Sequence, residues 1–124
     1  MQKVMQSLVG IFRTDEDLKK AFAELEELKA RAAKASVEGS RLFNPGWHLT
    51  RELNSMLTIS EAVALSALAR TESRGAHSRI DFPNYDPVWE KKHNVIVRED
   101  GKMTRHEVPV EEMPADLKEI LATD

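Results

Sequence analysis

The chain has 124 residues, 41% of them hydrophobic and 31% charged, with a net charge of −3. That length holds one compact domain with its own core and is too short for two. The mild acidic balance argues against a nucleic-acid partner, which favours a basic face. The absence of cysteine rules out disulfides, thiolate nucleophiles and thiolate-bound iron–sulfur clusters within this chain. No apolar run approaches the roughly 18–20 residues that cross a bilayer, so no direct membrane insertion is expected. The start, Met1 to Met5, lacks the apolar centre of a signal peptide, and a soluble domain is the expectation.

Val4, Met5, Leu8, Val9 and Phe12 recur at three- and four-residue steps and predict a short first helix with one apolar face. Gly10 weakens that helix slightly or lets a neighbour approach closely. Thr14 is a natural cap for the next helix, with Asp15, Glu16 and Asp17 in its positive first turn. The second helix is expected to run to about Ala35 on a seam of Leu18, Ala21, Phe22, Leu25, Leu28 and Ala32, its other faces wet. Asn44-Pro45-Gly46 reads as a cap followed by a first-turn proline, opening a long third helix to about Glu72. Its inward stripe is expected to hold Leu49, Leu53, Met56, Leu57, Ser60, Val63, Ala64, Ala67 and Leu68, and Thr58-Ile59-Ser60 is the candidate position for a bend.

Residues 73–87 carry no helical or strand period, and such a stretch in a small domain is functional, disordered or docked on something else. Asn94–Arg98 and Met103–Val108 then read as strands, joined through an Asp100-Gly101 hairpin signal. Pro114 opens a short amphipathic segment, Ala115 to Leu121. The fold expected is mainly α: an antiparallel three-helix, spectrin-repeat-like bundle over 1–72. An extended arm, a small hairpin and a short terminal helix follow over 73–124, all in one domain.

No glycine-rich phosphate loop and no nucleophile elbow is present. His48, His77, His93 and His106 are scattered without metal-ligand spacing, so no catalytic, cofactor-binding or metal residue is assigned. The densest polar cluster is Arg70-Thr71-Glu72-Ser73-Arg74-Gly75-Ala76-His77-Ser78-Arg79. One reading is a capped helix end, closed by Gly75 and pinned by a Glu72–arginine pair. The other is a set of fork-shaped donors for a carboxylate, a phosphate or another domain. The spacing leaves both open. Trp47, Phe82, Tyr85 and Trp89 read as packing anchors.

The segment Ala67 to Pro83, centred on that cluster, resembles the C-terminal signature of the succinate dehydrogenase and fumarate reductase flavoprotein family. Met5–Arg13, Asp17–Leu28 and Glu52–Leu57 resemble the family's helices, so the likeness covers nearly the whole chain. L-aspartate oxidase carries a similar helical domain and arginine motif. The continuation through Trp89-Glu90-Lys91-Lys92-His93 and the hairpin resembles the dehydrogenase and reductase members instead. The resemblance implies a parent oxidoreductase of the tricarboxylic acid cycle and electron transport that interconverts succinate and fumarate. Its FAD would lie in domains preceding this one, and its electrons would pass to an iron–sulfur subunit. It implies no cofactor in this fragment and a docking role for Arg70, Glu72, Ser73, Arg74, Gly75, His77 and Arg79. The partners implied are the upstream FAD-binding and capping domains and the iron–sulfur subunit. The location implied is cytoplasmic and peripheral to the membrane. An excised or separately expressed domain is expected; the other readings are the C-terminal domain of L-aspartate oxidase and an independent module that binds an anion or an acidic protein partner through Arg70–Arg79.

Overall fold

The computed structural model describes residues 1–122; residues 123–124, the end of the expected second segment, lie outside the described residues. Helix α1 (Gln2–Leu8) leads into a two-residue strand β1 (Phe12–Arg13) and then helix α2 (Asp15–Ala32). Helix α3 (Pro45–Ala69) is followed by strand β2 (Ser78–Arg79) and a 3-10 turn at Pro87–Lys91. Strands β3 (Lys92–Glu99) and β4 (Lys102–Pro109) and helix α4 (Ala115–Leu121) complete the chain. The fold is mostly helical, with α2 and α3 packed as a pair and a β-hairpin and short terminal helix beyond them. Helix α1 has 7 residues against 18 in α2 and 25 in α3, and lies against α2.

The core sits between the two long helices. Leu18, Ala21 and Leu25 of α2 meet Leu57, Ala64 and Ala67 of α3, with Val4 and Val9 closing one end. The α2 seam follows its 3.6-residue period, with Phe22, Leu28 and Ala32 packed at its margin. Thr14 caps α2 as expected, its Oγ1 accepting the Asp17 N–H at 3.1 Å. The Asn44 Oδ1 caps α3 by accepting from the Gly46 and Trp47 N–H groups, at 3.1 and 3.4 Å.

Five expectations are corrected. Helix α1 ends at Leu8, and Phe12 stands 72% exposed instead of sharing its apolar face. The cause is the path at Gly10, where an added Cβ would come within 2.9 Å of the Gln6 carbonyl oxygen, so the chain turns away there. Helix α3 stops at Ala69, not Glu72, and runs unbroken through Thr58-Ile59-Ser60. Leu49, Met56 and Val63 are exposed, because α2 covers one stripe of α3 only, through Leu53, Leu57, Ser60, Ala64 and Ala67. Helix α2 closes at Ala32, within a turn of Ala35.

The hairpin follows its turn signal. Asp100 and Gly101 both have positive φ (48° and 79°), as a two-residue turn of the primed kind requires. Glu99 pairs Lys102 beside the turn, and the ladder extends to Lys92 opposite Pro109. Asn94 Nδ2 donates to the Ser66 carbonyl (3.3 Å) and ties the hairpin to α3.

Candidate functional site

Residues 70–86 are folded back against the ends of α2 and α3, and each of the three arginines in the cluster has a different task. Arg79 is the innermost, with a fully buried side chain. Its Nη1 donates to the carbonyls of Ala67 (3.1 Å), Leu68 (3.0 Å) and Arg70 (3.4 Å), groups that the end of α3 leaves without helical partners. Its Nε and Nη2 form a fork with Asp81 Oδ1 and Oδ2, at 2.8 and 2.7 Å. Asp81 Oδ2 also accepts the Asp15 N–H (2.9 Å), in the first turn of α2. One ion pair therefore places a cation at the negative end of α3 and a carboxylate at the positive end of α2. The Arg79 fork lowers the Asp81 pKa to about 2, against the opposing effect of burial and with help from the Asp15 N–H.

Glu72, also fully buried, is the second centre. Its Oε1 accepts from Arg70 Nε and Arg74 Nε, both at 2.8 Å, and its Oε2 from Arg74 Nη2 (3.2 Å) and the Asp86 N–H (3.0 Å). Burial by itself raises its pKa. The hydrogen bonds from Arg74, Asp86 and Arg70 outweigh that and hold it at about 2. Arg74 in turn lies over the Tyr85 ring, 3.7 Å from its centre, and donates to the Tyr85 hydroxyl at 2.6 Å. Arg70 donates to the Trp89 carbonyl (3.3 Å), and Trp89, 5% exposed, is the buried anchor of the segment. Its indole N–H reaches Thr71 Oγ1 at 3.3 Å.

Ser73 Oγ accepts the Arg79 N–H (2.8 Å) and donates to the Phe82 carbonyl (2.9 Å), closing the loop on itself. Gly75 does not close α3. The helix ends six residues earlier, at Ala69, with Arg70 extended at its C-cap, and Gly75 (φ 57°) turns a tight hairpin bridged by Arg74 and His77. His77 follows that turn. Its Nε2 lies 3.0 Å from the Arg70 carbonyl and its Nδ1 lies 2.6 Å from Arg13 Nη1. A guanidinium can only donate, so Nδ1 accepts and the ring proton sits on Nε2.

Burial lowers the His77 pKa, opposed by the Arg70 carbonyl and reinforced by the charges of Arg13, Arg79 and Arg70. His77 is thus expected to be the neutral Nε2–H tautomer at pH 7 and to titrate below 6.5, checked by imidazole nitrogen shifts. Its sign follows: the unfolded chain takes up this proton first, so its contribution to stability is complete above about pH 6.5 and declines as pH falls.

β1 and β2 are held by this framework. They pair in parallel, Phe12 with Ser78 and Arg13 with Arg79. Strand alternation then sets Phe12 and Ile80 on the face opposite Arg13 and Arg79. Both are exposed, Ile80 at 63%. Tyr85 and Val88 add further exposed apolar surface from the same segment. Arg13, Asp81 and Asp86 belong to the framework but were not singled out from the sequence, although the family resemblance spans Arg13 and Asp81. A carboxylate two residues after Arg79 was the one available hint.

The residues present do not fit a flavin dinucleotide. Among the described residues the only parallel strands are the two-residue β1 and β2, and α2 opens with Asp15, Glu16 and Asp17, which repel a pyrophosphate. No group of His, Cys, Asp or Glu residues suited to a metal gathers among the described residues. No helix there is long and apolar enough to cross a membrane.

The site is thus a polar segment folded back over the ends of a packed helix pair, with its charges tied to both helix termini. The chain belongs to the succinate dehydrogenase and fumarate reductase flavoprotein family, as its C-terminal domain: the family described as fumarate reductase flavoprotein C-term matches residues 1–120. It is similar to the fumarate reductase flavoprotein subunit of Mycobacterium tuberculosis, 40% identical over 112 residues, 89% of this chain and 19% of that one. The succinate dehydrogenase flavoprotein subunit of Coxiella burnetii is 38% identical over 100 residues, 80% of this chain and 17% of that one. A structure of Mycobacterium smegmatis Sdh1 in complex with UQ1 superposes with a TM-score of 0.88 at 40% identity, covering 97% of this chain and 21% of that one. A quinol–fumarate reductase with menaquinol molecules gives 0.81 at 35% identity, covering 90% and 20%. The chain therefore spans about a fifth of the length of the relatives it matches.

Proposed function

We propose that this chain is the docking domain of a flavoprotein that interconverts succinate and fumarate through FAD and an iron–sulfur partner, and that it is not catalytic alone. The observation that carries this is the strand pair that, with the residue after it, presents Phe12 and Ile80 outward, 72% and 63% exposed, beside the paired charges of Arg79–Asp81 and Arg74–Glu72. Apolar side chains on a framework this well tied mark a contact surface. The partners in this reading are the preceding FAD-binding and capping domains, and through them the iron–sulfur subunit. The enzyme would be cytoplasmic and peripheral to the membrane.

Within it, Arg70, Glu72, Ser73, Arg74, Gly75, His77 and Arg79 form the docking segment. Glu72, Ser73, His77 and Arg79 shape it from behind, while Gly75 and Arg74 lie at its rim. Residues 1–72 act as the scaffold, read as a three-helix bundle of the spectrin-repeat kind with α1 as its short member, and the segment from 73 onward acts as the contact arm. Expressing the preceding domains and this chain as separate polypeptides tests the reading. Capture of one by the other, weakened at least tenfold by Phe12→Asp with Ile80→Asp, is the expected result. Equal capture by the double variant would remove the face from the account.

A further inference from the structure

Arg13 is half-buried and forms no ion pair among the described residues. Its Nε donates to the Gly10 carbonyl and one Nη1 hydrogen to neutral His77, which leaves Nη2 without a partner. Burial and the nearby Arg79 both disfavour its charge. A half-buried cation beside further positive groups, with no carboxylate among them, favours an anion at that place.

Arg13 lines a cavity of about 520 Å³, open to solvent, between β1, α3 and the start of β3. Arg70, His77 and His93 also line it, and no carboxylate does. Arg70 uses Nε for Glu72 and Nη2 for the Trp89 carbonyl, which leaves Nη1 open, and the His93 ring has no hydrogen-bond partner among the described residues. The opposite wall is apolar, with Ile59 and Val63 of α3 exposed along it. Two guanidiniums select an anion with a planar fork of acceptors, and an aliphatic wall selects an apolar stem beside it.

We propose that this cavity is a binding site for an aliphatic carboxylate, with the anionic end at Arg13 and Arg70 and the stem along Ile59 and Val63. This site lies apart from the outer face of Phe12 and Ile80. The carboxylate is either an acidic side chain of the preceding domains, in which case the proposal rests on the docking reading, or a free small acid, in which case it does not.

Glutarate is the probe, titrated into the isotope-labelled chain at constant ionic strength with chloride as the balancing anion. Saturable shifts confined to Arg13 Nε, the His93 ring and the amides of residues 59–63 are expected. Arg13→Gln should weaken the affinity about tenfold, the loss of one charge-assisted contact. His93→Gln, at an exposed position, should weaken it several-fold without touching the fold. Shifts that stay linear in glutarate, or that chloride reproduces, would overturn the proposal. Competition between glutarate and the preceding domains identifies a side chain as the ligand, and saturation without competition identifies a free acid. Should the two polypeptides fail to associate, the docking reading falls while the glutarate titration still decides this site.

Discussion

Arg79→Met is expected to lower the melting temperature by roughly 10–20 °C, the loss of about 3–5 kcal/mol that follows when a buried donor serving several carbonyls at once is removed. The substitution keeps most of the volume and removes every donor. The carbonyls of Ala67, Leu68 and Arg70 then lose their shared partner, and Asp81 keeps its contact to the α2 terminus but loses its fork. Arg79→Lys should recover part of the loss only, since an ammonium cannot serve the carbonyls and both carboxylate oxygens in one plane. Arg74→Met is the control. Its side chain is 30% exposed, and Glu72 keeps Arg70 and the Asp86 N–H, so a much smaller loss is expected. Thermal unfolding followed by circular dichroism separates the two. Equal losses would mean that Arg79 does not join the helix ends.

Stability is expected to fall steeply below about pH 4.5. Glu72 and Asp81 each have a folded pKa of about 2, against ordinary values of 4.5 and 3.8. Between those limits the unfolded chain holds more protons than the folded one, so stability is fully present above about pH 5 and is lost as pH falls toward 2. Glu72, fully buried, contributes on the order of 3 kcal/mol, and Asp81, at an exposed position screened by water, contributes the smaller share. Glu72→Gln should therefore be less stable at pH 7 and show a visibly flatter acid limb. Urea unfolding from pH 2.5 to 7 measures both. A variant curve parallel to the parent's would mean that Glu72 is not the group being protonated.

The helical part of this fold was legible because its signals are local. The Leu18–Ala21–Leu25 seam, the Thr14 and Asn44 caps and the Asp100-Gly101 turn each follow from residues within a turn of one another. The end of α1 was not, because Gly10 acts through a close approach to the Gln6 carbonyl that periodicity does not encode. The exposed stripe of Leu49, Met56 and Val63 was misread for a related reason: apolar spacing reports a face, and only the partner decides whether it is covered.

The arginine motif was legible as a site but not in its roles. Arg70, Arg74 and Arg79 look alike in sequence. What separates them is distance along the fold, with Arg79 reaching back to α3 carbonyls 9 to 12 residues earlier and Arg74 resting on Tyr85, 11 residues later. Arg13, which faces His77 across 64 residues, is the extreme case. Family likeness located this cluster because it preserves such distant pairings as a string of letters, whereas composition and spacing do not.

Amide hydrogen exchange of this chain, alone and mixed with the preceding FAD-binding and capping domains, tests the docking account most directly. Slower exchange at residues 10–13 and 78–82 on mixing, with the wet face of α2 unchanged, is the predicted result. Protection that falls on α2 instead, or no change at any amide, would contradict it.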